Sequence, residues 1–451
     1  MLTQTLKRAL PVLFIGGLIP FSSVHGQTID EAIQHALGTN PDVVAARKNQ
    51  DAVKQQITQA KATYLPRLDL SAGYGREYTD IPSHRAAVEK GLTLNRGESG
   101  ITLTQTIFDG LGTVEDIKRA KAQYESASFG FDRTAESVVA QATNAYLETL
   151  KRRELLELVK DNVLLHQRIL SKVRKKADSG AGNQADVQQT ESRLALASAN
   201  HAAAQGAMRQ AKIRFERVIG ASPQTLTRPV MPTGKLPATL EEAIQSALSG
   251  HPAILASQAD LKSAEAQHAG SLANFMPSVD LELSASNNAN VSGTQSYQHT
   301  ASAMLQFSYN LFNGGGDWAR RKETRQRVAQ NQALLDQARM NTIQEVSTAW
   351  DVLQVARERV KYLSRHLDVS KEVTAAYHNQ FKIGKRTLLD VLNSETELYS
   401  AHSALTTEEF NELNGTYKLW AAMGNLRDAL SLLDGADTNS DAQNNAAAET
   451  P

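Results

Sequence analysis

The sequence predicts a mainly α-helical fold with a β-barrel part, built as an internal duplication. Three observations predict it. First, the chain repeats itself: Thr28-Ile-Asp-Glu returns as Thr239-Leu-Glu-Glu, a shift of 211. The shift holds for Pro41/Pro252, Ala62/Ala273, Pro66/Pro277 and Asp69/Asp280, then becomes 204 for Phe108/Phe312, Gly110/Gly314, Glu191/Glu395 and Gly220/Gly424. Second, the 67 residues from Asp317 to Ile383 contain neither Gly nor Pro, which is about 100 Å of helix at 1.5 Å per residue. Third, two stretches in each copy switch from a helical period to a period of two.

The elements follow in order. Lys7 and Arg8, the apolar run Ala9–Phe21 and Val24-His25-Gly26 read as a secretory signal over residues 1–26. The first repeat is expected over 27–222 and opens on a capping box, Thr28 with Glu31. A helix entered at Pro41 runs to about Thr63. Leu68, Leu70, Ala72 and Tyr74 then alternate with Asp69, Ser71, Gly73 and Gly75, and Ile101, Leu103 and Ile107 alternate with threonines. Strands are therefore placed at about 67–79 and 99–108, a long helix at about 113–177 and a return helix at about 186–219. A proline-rich linker, 223–238, leads to the second repeat, 239–433. Its strands are expected at about 278–290 and 299–312, its long helix at about 317–383 and its return helix at about 387–423. The change of seven in the shift places extra length between Pro66 and Phe108 of the first copy, where a loop can absorb it. Residues 434–451 are polar and of low complexity, and read as a disordered tail.

In the second long helix Val346, Leu353, Val360, Leu367, Thr374 and Phe381 recur every seven residues. A strict seven-residue repeat implies left-handed supercoiling against partner helices. Each long helix ends at a turn: Ser-Gly-Ala-Gly-Asn at 179–183 and Ile-Gly-Lys-Arg-Thr at 383–387. Gly180 and Gly384 supply the left-handed residue that ends a helix. Thr387 and Asp390 form a capping pair for the helix that follows, and Asp186 stands 204 before Asp390.

Composition excludes several functions. With 48 basic and 48 acidic residues no polyanion is implied, so nucleic acid is not an expected partner. The chain has no cysteine, which removes disulfides, thiolate chemistry and a lipidated N-terminal cysteine. After the signal no apolar run reaches about 18 residues, so any membrane crossing falls to strands, whose length suits a bilayer. The 11 histidines show no zinc-binding spacing. There is no Walker loop or nucleophile elbow, and no cofactor or metal is expected. An enzyme is not the expected reading.

The duplicated helix–strand–strand–helix order, the Phe-Asp-Gly and Phe-Asn-Gly turns and the tip Gly-Lys-Arg-Thr-Leu-Leu-Asp-Val-Leu at 384–392 resemble the TolC family of outer-membrane factors. The resemblance covers Thr28 to Leu433. It implies a homotrimer with a twelve-stranded β-barrel in outer-membrane lipid of a Gram-negative bacterium, continued by an α-helical coiled-coil tunnel through the periplasm. Four strands per chain fit that assembly, because open edges are not tolerated in lipid. It implies docking to a periplasmic adaptor protein and an inner-membrane ABC or RND transporter through the tips, at Gly180, Gly384, Lys385 and Thr387. It also implies a gate in which Asp390 forms a ring on the three-fold axis and Arg386 links to Asp186. Asn393 stands where the best-known member of the family has a second ring aspartate, and Phe381 where it has a tyrosine able to hydrogen-bond. Type I protein secretion is the expected role, the absent lipidation cysteine leaning that way. Multidrug efflux is the alternative, and a soluble periplasmic coiled-coil scaffold a distant one.

Overall fold

The computed structural model describes residues 27–80, 91–229 and 236–430. The expected signal, the tail and part of the linker lie outside the described residues. The order of elements is α1 (Ile29–Thr39), α2 (Pro41–Ala62), β1 (Arg67–Thr79), β2 (Leu92–Phe108), α3 (Gly112–Asp178), α4 (Gln184–Ile219), α5 (Leu240–Gly250), α6 (Pro252–Gly270), β3 (Ser278–Ala289), β4 (Tyr297–Ser308), α7 (Gly316–Lys382), α8 (Leu388–Met423) and α9 (Leu426–Ala429). Both long helices have 67 residues, about 100 Å each.

Local chemistry sets the helix starts. Thr28 Oγ1 accepts from the Glu31 N–H at 3.2 Å, and the Glu31 carboxylate accepts from the Thr28 N–H at 3.0 Å. The second copy differs: Thr239 accepts from Glu242 N–H, but the Glu242 carboxylate reaches Ala238 N–H. Pro41 and Pro252 each occupy a first helical position, where no N–H is needed.

The four strands form one antiparallel sheet in the order β1-β2-β3-β4. Register puts Leu68, Leu103, Leu283 and Ala303 in one row and Leu70, Ile101, Ala285 and Ala301 in the next. The opposite face carries Asp69, Thr102, Ser284 and Ser302 in one row. One face is thus apolar and bare, with Leu70 and Tyr74 each 82% exposed, and the other is polar. The outer edges, β1 and β4, have no strand partner among the described residues.

Two strand bounds differ from expectation. β2 begins at Leu92, because β1 continues to Thr79 and pairs with it; the polar sequence Asn-Arg-Gly-Glu at 95–98 hides that extension. β4 stops at Ser308, because β3 starts at Ser278 and leaves nothing opposite residues 309–312.

In the helical part α3 lies between α4 and α8 over one half of its length and between α2 and α6 over the other, with α7 beyond α8 and α6. Short and return helices abut end to end. The Asn40 side chain, which caps α2, donates to Val218 O near the end of α4 at 3.3 Å. Gly424, past the end of α8, would place a Cβ 2.7 Å from Pro252, the first residue of α6. Gly424 has φ of 77°, which glycine adopts without strain.

The main core lies midway along the helices, where α1 and α5 cover one face of the wall. It contains Ile33, Tyr146, Phe215, Val346, Leu353, Leu419 and Trp420. The Tyr146 hydroxyl fixes the chain start to the linker: it lies 2.7 Å from both Gln27 O and Thr227 O and accepts from Thr227 N–H at 3.0 Å. Of the seven-residue series on α7, Val346, Leu353, Leu367 and Thr374 are buried, and Val360 and Phe381 half-buried. A second row on α7 faces outward: Val352, Val355, Tyr362, Val369 and Val373 are all exposed.

Candidate functional site at the helical tips

Both long helices end alike. Lys385 N–H donates to Gln380 O at 2.9 Å and Gly384 N–H to Phe381 O at 3.1 Å; at the other tip Ala181 N–H donates to Lys176 O and Gly180 N–H to Ala177 O, each at 3.0 Å. This paired pattern is the Schellman motif, which needs a left-handed residue. Gly384 and Gly180 provide it with φ of 74° and 77°. Neither glycine has another atom within 4 Å of where a Cβ would stand, so both tips present bare backbone to the outside.

The return helices start from different caps. Asn183 Oδ1 accepts from Ala185 N–H at 3.0 Å. Thr387 Oγ1 accepts from Asp390 N–H at 3.2 Å, and Asp390 Oδ2 accepts from Thr387 N–H at 3.1 Å and Thr387 Oγ1 at 2.9 Å. The hydrogen bonds from Thr387 hold the Asp390 carboxyl below the usual range. It is therefore an anion at neutral pH, and only one of its oxygens is used by the cap.

Arg386 is fixed within its own tip. Its Nε donates to Gln380 Oε1 at 2.9 Å, its guanidinium stands 4.2 Å from the centre of the Tyr377 ring, and one nitrogen is 4.0 Å from Asp390 Oδ2. No ion pair joins Arg386 to Asp186 within the chain. Asn393 accepts from Arg193 of α4 at 3.0 Å, tying the two return helices together. Phe381 packs on a small tip core of Ile169, Leu170, Val173, Val187, Leu388 and Leu392, and Lys176 Nζ stands 5.0 Å over its ring. The phenylalanine thus joins the two hairpins by packing and a cation–π contact.

Sequence reasoning missed a belt of polar and charged side-chain pairs just behind the tips. Arg174 of α3 pairs with Glu191 of α4, and His378 of α7 with the buried Glu395 of α8. His366 lies 3.1 Å from Glu397. His166 is buried with Nδ1 unpartnered, and burial holds its ring below the usual pKa. These pairs join different helices, so no spacing along one helix signals them.

Among the described residues no helix is long and apolar enough to cross a membrane. The sheet is the part built for lipid: a bare apolar face, a polar back and two open edges.

The chain matches the family described as outer membrane efflux protein over residues 32–221 and 243–425, one match per repeat. It is 25% identical over 419 residues to outer membrane efflux protein BepC of Brucella suis, covering 93% of this chain and 90% of BepC. It is 24% identical over 429 residues to the alkaline protease secretion protein AprF of Pseudomonas aeruginosa, covering 92% and 87%. Among solved structures the channel CusC superposes with a TM-score of 0.76 at 17% identity, over 88% of this chain and 92% of CusC.

Proposed function

Since the chain belongs to the outer membrane efflux protein family and is an outer-membrane channel rather than an enzyme, we propose that three copies close into one duct that serves type I protein secretion. The sheet carries the assembly. Its apolar face lies bare and its β1 and β4 edges are open, and lipid tolerates neither an open edge nor an unpaired backbone. Three copies supply twelve strands, pairing β4 of one with β1 of the next. The exposed row on α7 would seat against the neighbouring wall in the same way. Type I secretion is supported by the likeness to AprF, named for secretion of a protease. Efflux is the second reading, and the likeness to BepC favours it.

The tips face the periplasm in this assembly. Gly180, Gly384, Lys385 and Thr387 form the surface that meets an adaptor protein and, through it, an ABC transporter. Asp390 stands on the three-fold axis as a ring of three carboxylates. Arg386, held at Gln380 and Tyr377 in its own chain, links to Asp186 of a neighbouring copy in the closed state. Asn393, engaged by Arg193, adds no charge to the ring, and Phe381 holds the hairpins by packing and its cation–π contact with Lys176.

A deletion strain tests the choice of role. Secretion predicts loss of one or more proteins from the medium with unchanged drug sensitivity; efflux predicts the reverse. For docking, Gly384→Trp should leave the assembly intact and stop export. Normal export in that variant would move the adaptor contact away from this tip.

A further inference from the structure

Midway along the wall, α4, α3 and α8 enclose a recess of about 460 Å³. Arg214 and Arg217 enter it from α4 and Lys418 from α8, while Gln141 and Asn144 of α3 and Asn414 of α8 supply amides. Among the described residues no carboxylate lines it. None of the three cations has an ion pair or hydrogen bond within the described residues. The nearby acids are engaged elsewhere: Glu148 with Lys151 and Arg152, Glu412 with Arg357, Glu216 with Ser222, and Glu136 with the Arg427 N–H. Thr143, 1% exposed, also lines the recess, and its hydroxyl has no partner. Three unbalanced cations beside three amides and an unused hydroxyl suit one ligand chemistry, a multivalent oxyanion.

The position of the recess follows from α3. Ala142 and Tyr146 belong to the core under α1. Asn144 is two residues from each, so it points about 200° away at 3.6 residues per turn. The recess therefore opens on the wall face opposite α1. When walls close into a tube, the inner circumference is the shorter, so the extra layer of α1 and α5 goes outside and the recess inside. This step rests on the duct reading above.

We propose that this recess is an anion-binding station on the inner wall of the tunnel. It takes a carboxylate or phosphate group of a solute in transit, and occurs three times at one level of the duct. Attraction between a fixed cation cluster and an anion is strengthened where water is confined.

The test uses the full-length protein in detergent, titrated calorimetrically with tripolyphosphate and, in parallel, with citrate. The native protein should bind at least one of them, and the tighter of the two identifies the oxyanion preferred. Arg214→Ala/Arg217→Ala/Lys418→Ala should weaken binding by about tenfold or more. Arg217→Lys should lose less, and Lys54→Ala on the α2 surface nothing. In planar bilayers the bound anion should reduce the native current and leave the triple variant unaffected, and the variant's reversal potential in a salt gradient should move toward cations. Absence of binding, or equal affinity in an intact triple variant, overturns the station. Binding with no effect on current overturns its place on the conducting path. A native assembly that carries no current at all refutes the duct itself, a result distinct from both.

Discussion

Asp390 holds the start of α8 through one oxygen and keeps a negative charge that the cap does not consume. The two roles can be separated, because asparagine can accept the same hydrogen bonds without the charge. Asp390→Asn should leave the melting temperature essentially unchanged and remove block of bilayer current by a trivalent cation. Unchanged block would leave Asp390 a cap and nothing more. Arg386→Ser, which frees Gln380 and Tyr377, should raise conductance if the closed state depends on that side chain. A second informative residue is Glu136 on α3. It accepts from Arg427 N–H at 3.2 Å while its other oxygen is buried without a partner, and burial pushes its pKa up to about 7. An acid that holds its proton more tightly in the fold stabilises it fully below about pH 4.5, and that contribution is lost as pH rises through about 7. Asp132, half-buried and also raised by desolvation, acts with the same sign. His251, held low by burial, acts with the opposite one, its contribution lost as pH falls. Glu136→Gln should therefore gain up to about 3 kcal/mol over the native protein at pH 8 and nothing at pH 4.5. Thermal melts across that range measure it; a gain independent of pH would refute the assignment.

At the scale of elements, the two copies solve the strand-to-helix turn unequally. Before α7, Gly314 and Gly315 take φ of 54° and 83°; before α3, Gly110 takes 69° and Leu111 takes 67°. A left-handed leucine costs about 1–2 kcal/mol, and this one is 54% exposed and gains little packing. Leu111→Gly should raise stability toward that amount in chemical denaturation. The α7–α8 pairing offers the converse case. Gly415 on α8 would place a Cβ 3.5 Å from Leu353 Cα and Cδ1, so only a small residue fits. Gly415→Leu should cost about 1–3 kcal/mol by overpacking and loosen hydrogen exchange in both helices, with the tip core unaffected. The long helices and their tips were readable in the sequence, since period and capping act over a few residues. The start of β2 was not, because its outer half lacks alternation and exists only through pairing with β1. The end of β4 was overestimated for the matching reason, that apolar alternation continued past the last available partner.

For the whole molecule, the bare strand face, the two open edges and the outward row on α7 all point to further copies. Val355→Asp with Tyr362→Asp should abolish the proposed trimer, measured by light scattering in detergent, while circular dichroism stays helical. A trimer that survives would shift the contact to another helix face. Both residues are exposed in the single chain, so neither change disturbs its core.

The duplication, the long helices, the capped tips, the amphipathic strands and, through the Gly-Lys-Arg-Thr-Leu-Leu-Asp tip, the family are all legible in the residues alone. Each of these is written in residues within a few positions of one another, or in the same pattern returning after 204 or 211 residues. Which helices share a wall, and what each charged side chain meets, came from packing in three dimensions. Arg193 and Asn393 are 200 residues apart and Arg427 and Asp132 are 295 apart. Such pairs exist because two hairpins lie side by side, and helical periodicity carries no information about the partner across the gap. The cation recess is of the same kind: its basic and amide side chains stand on three helices, and none of them is conspicuous until those helices are packed.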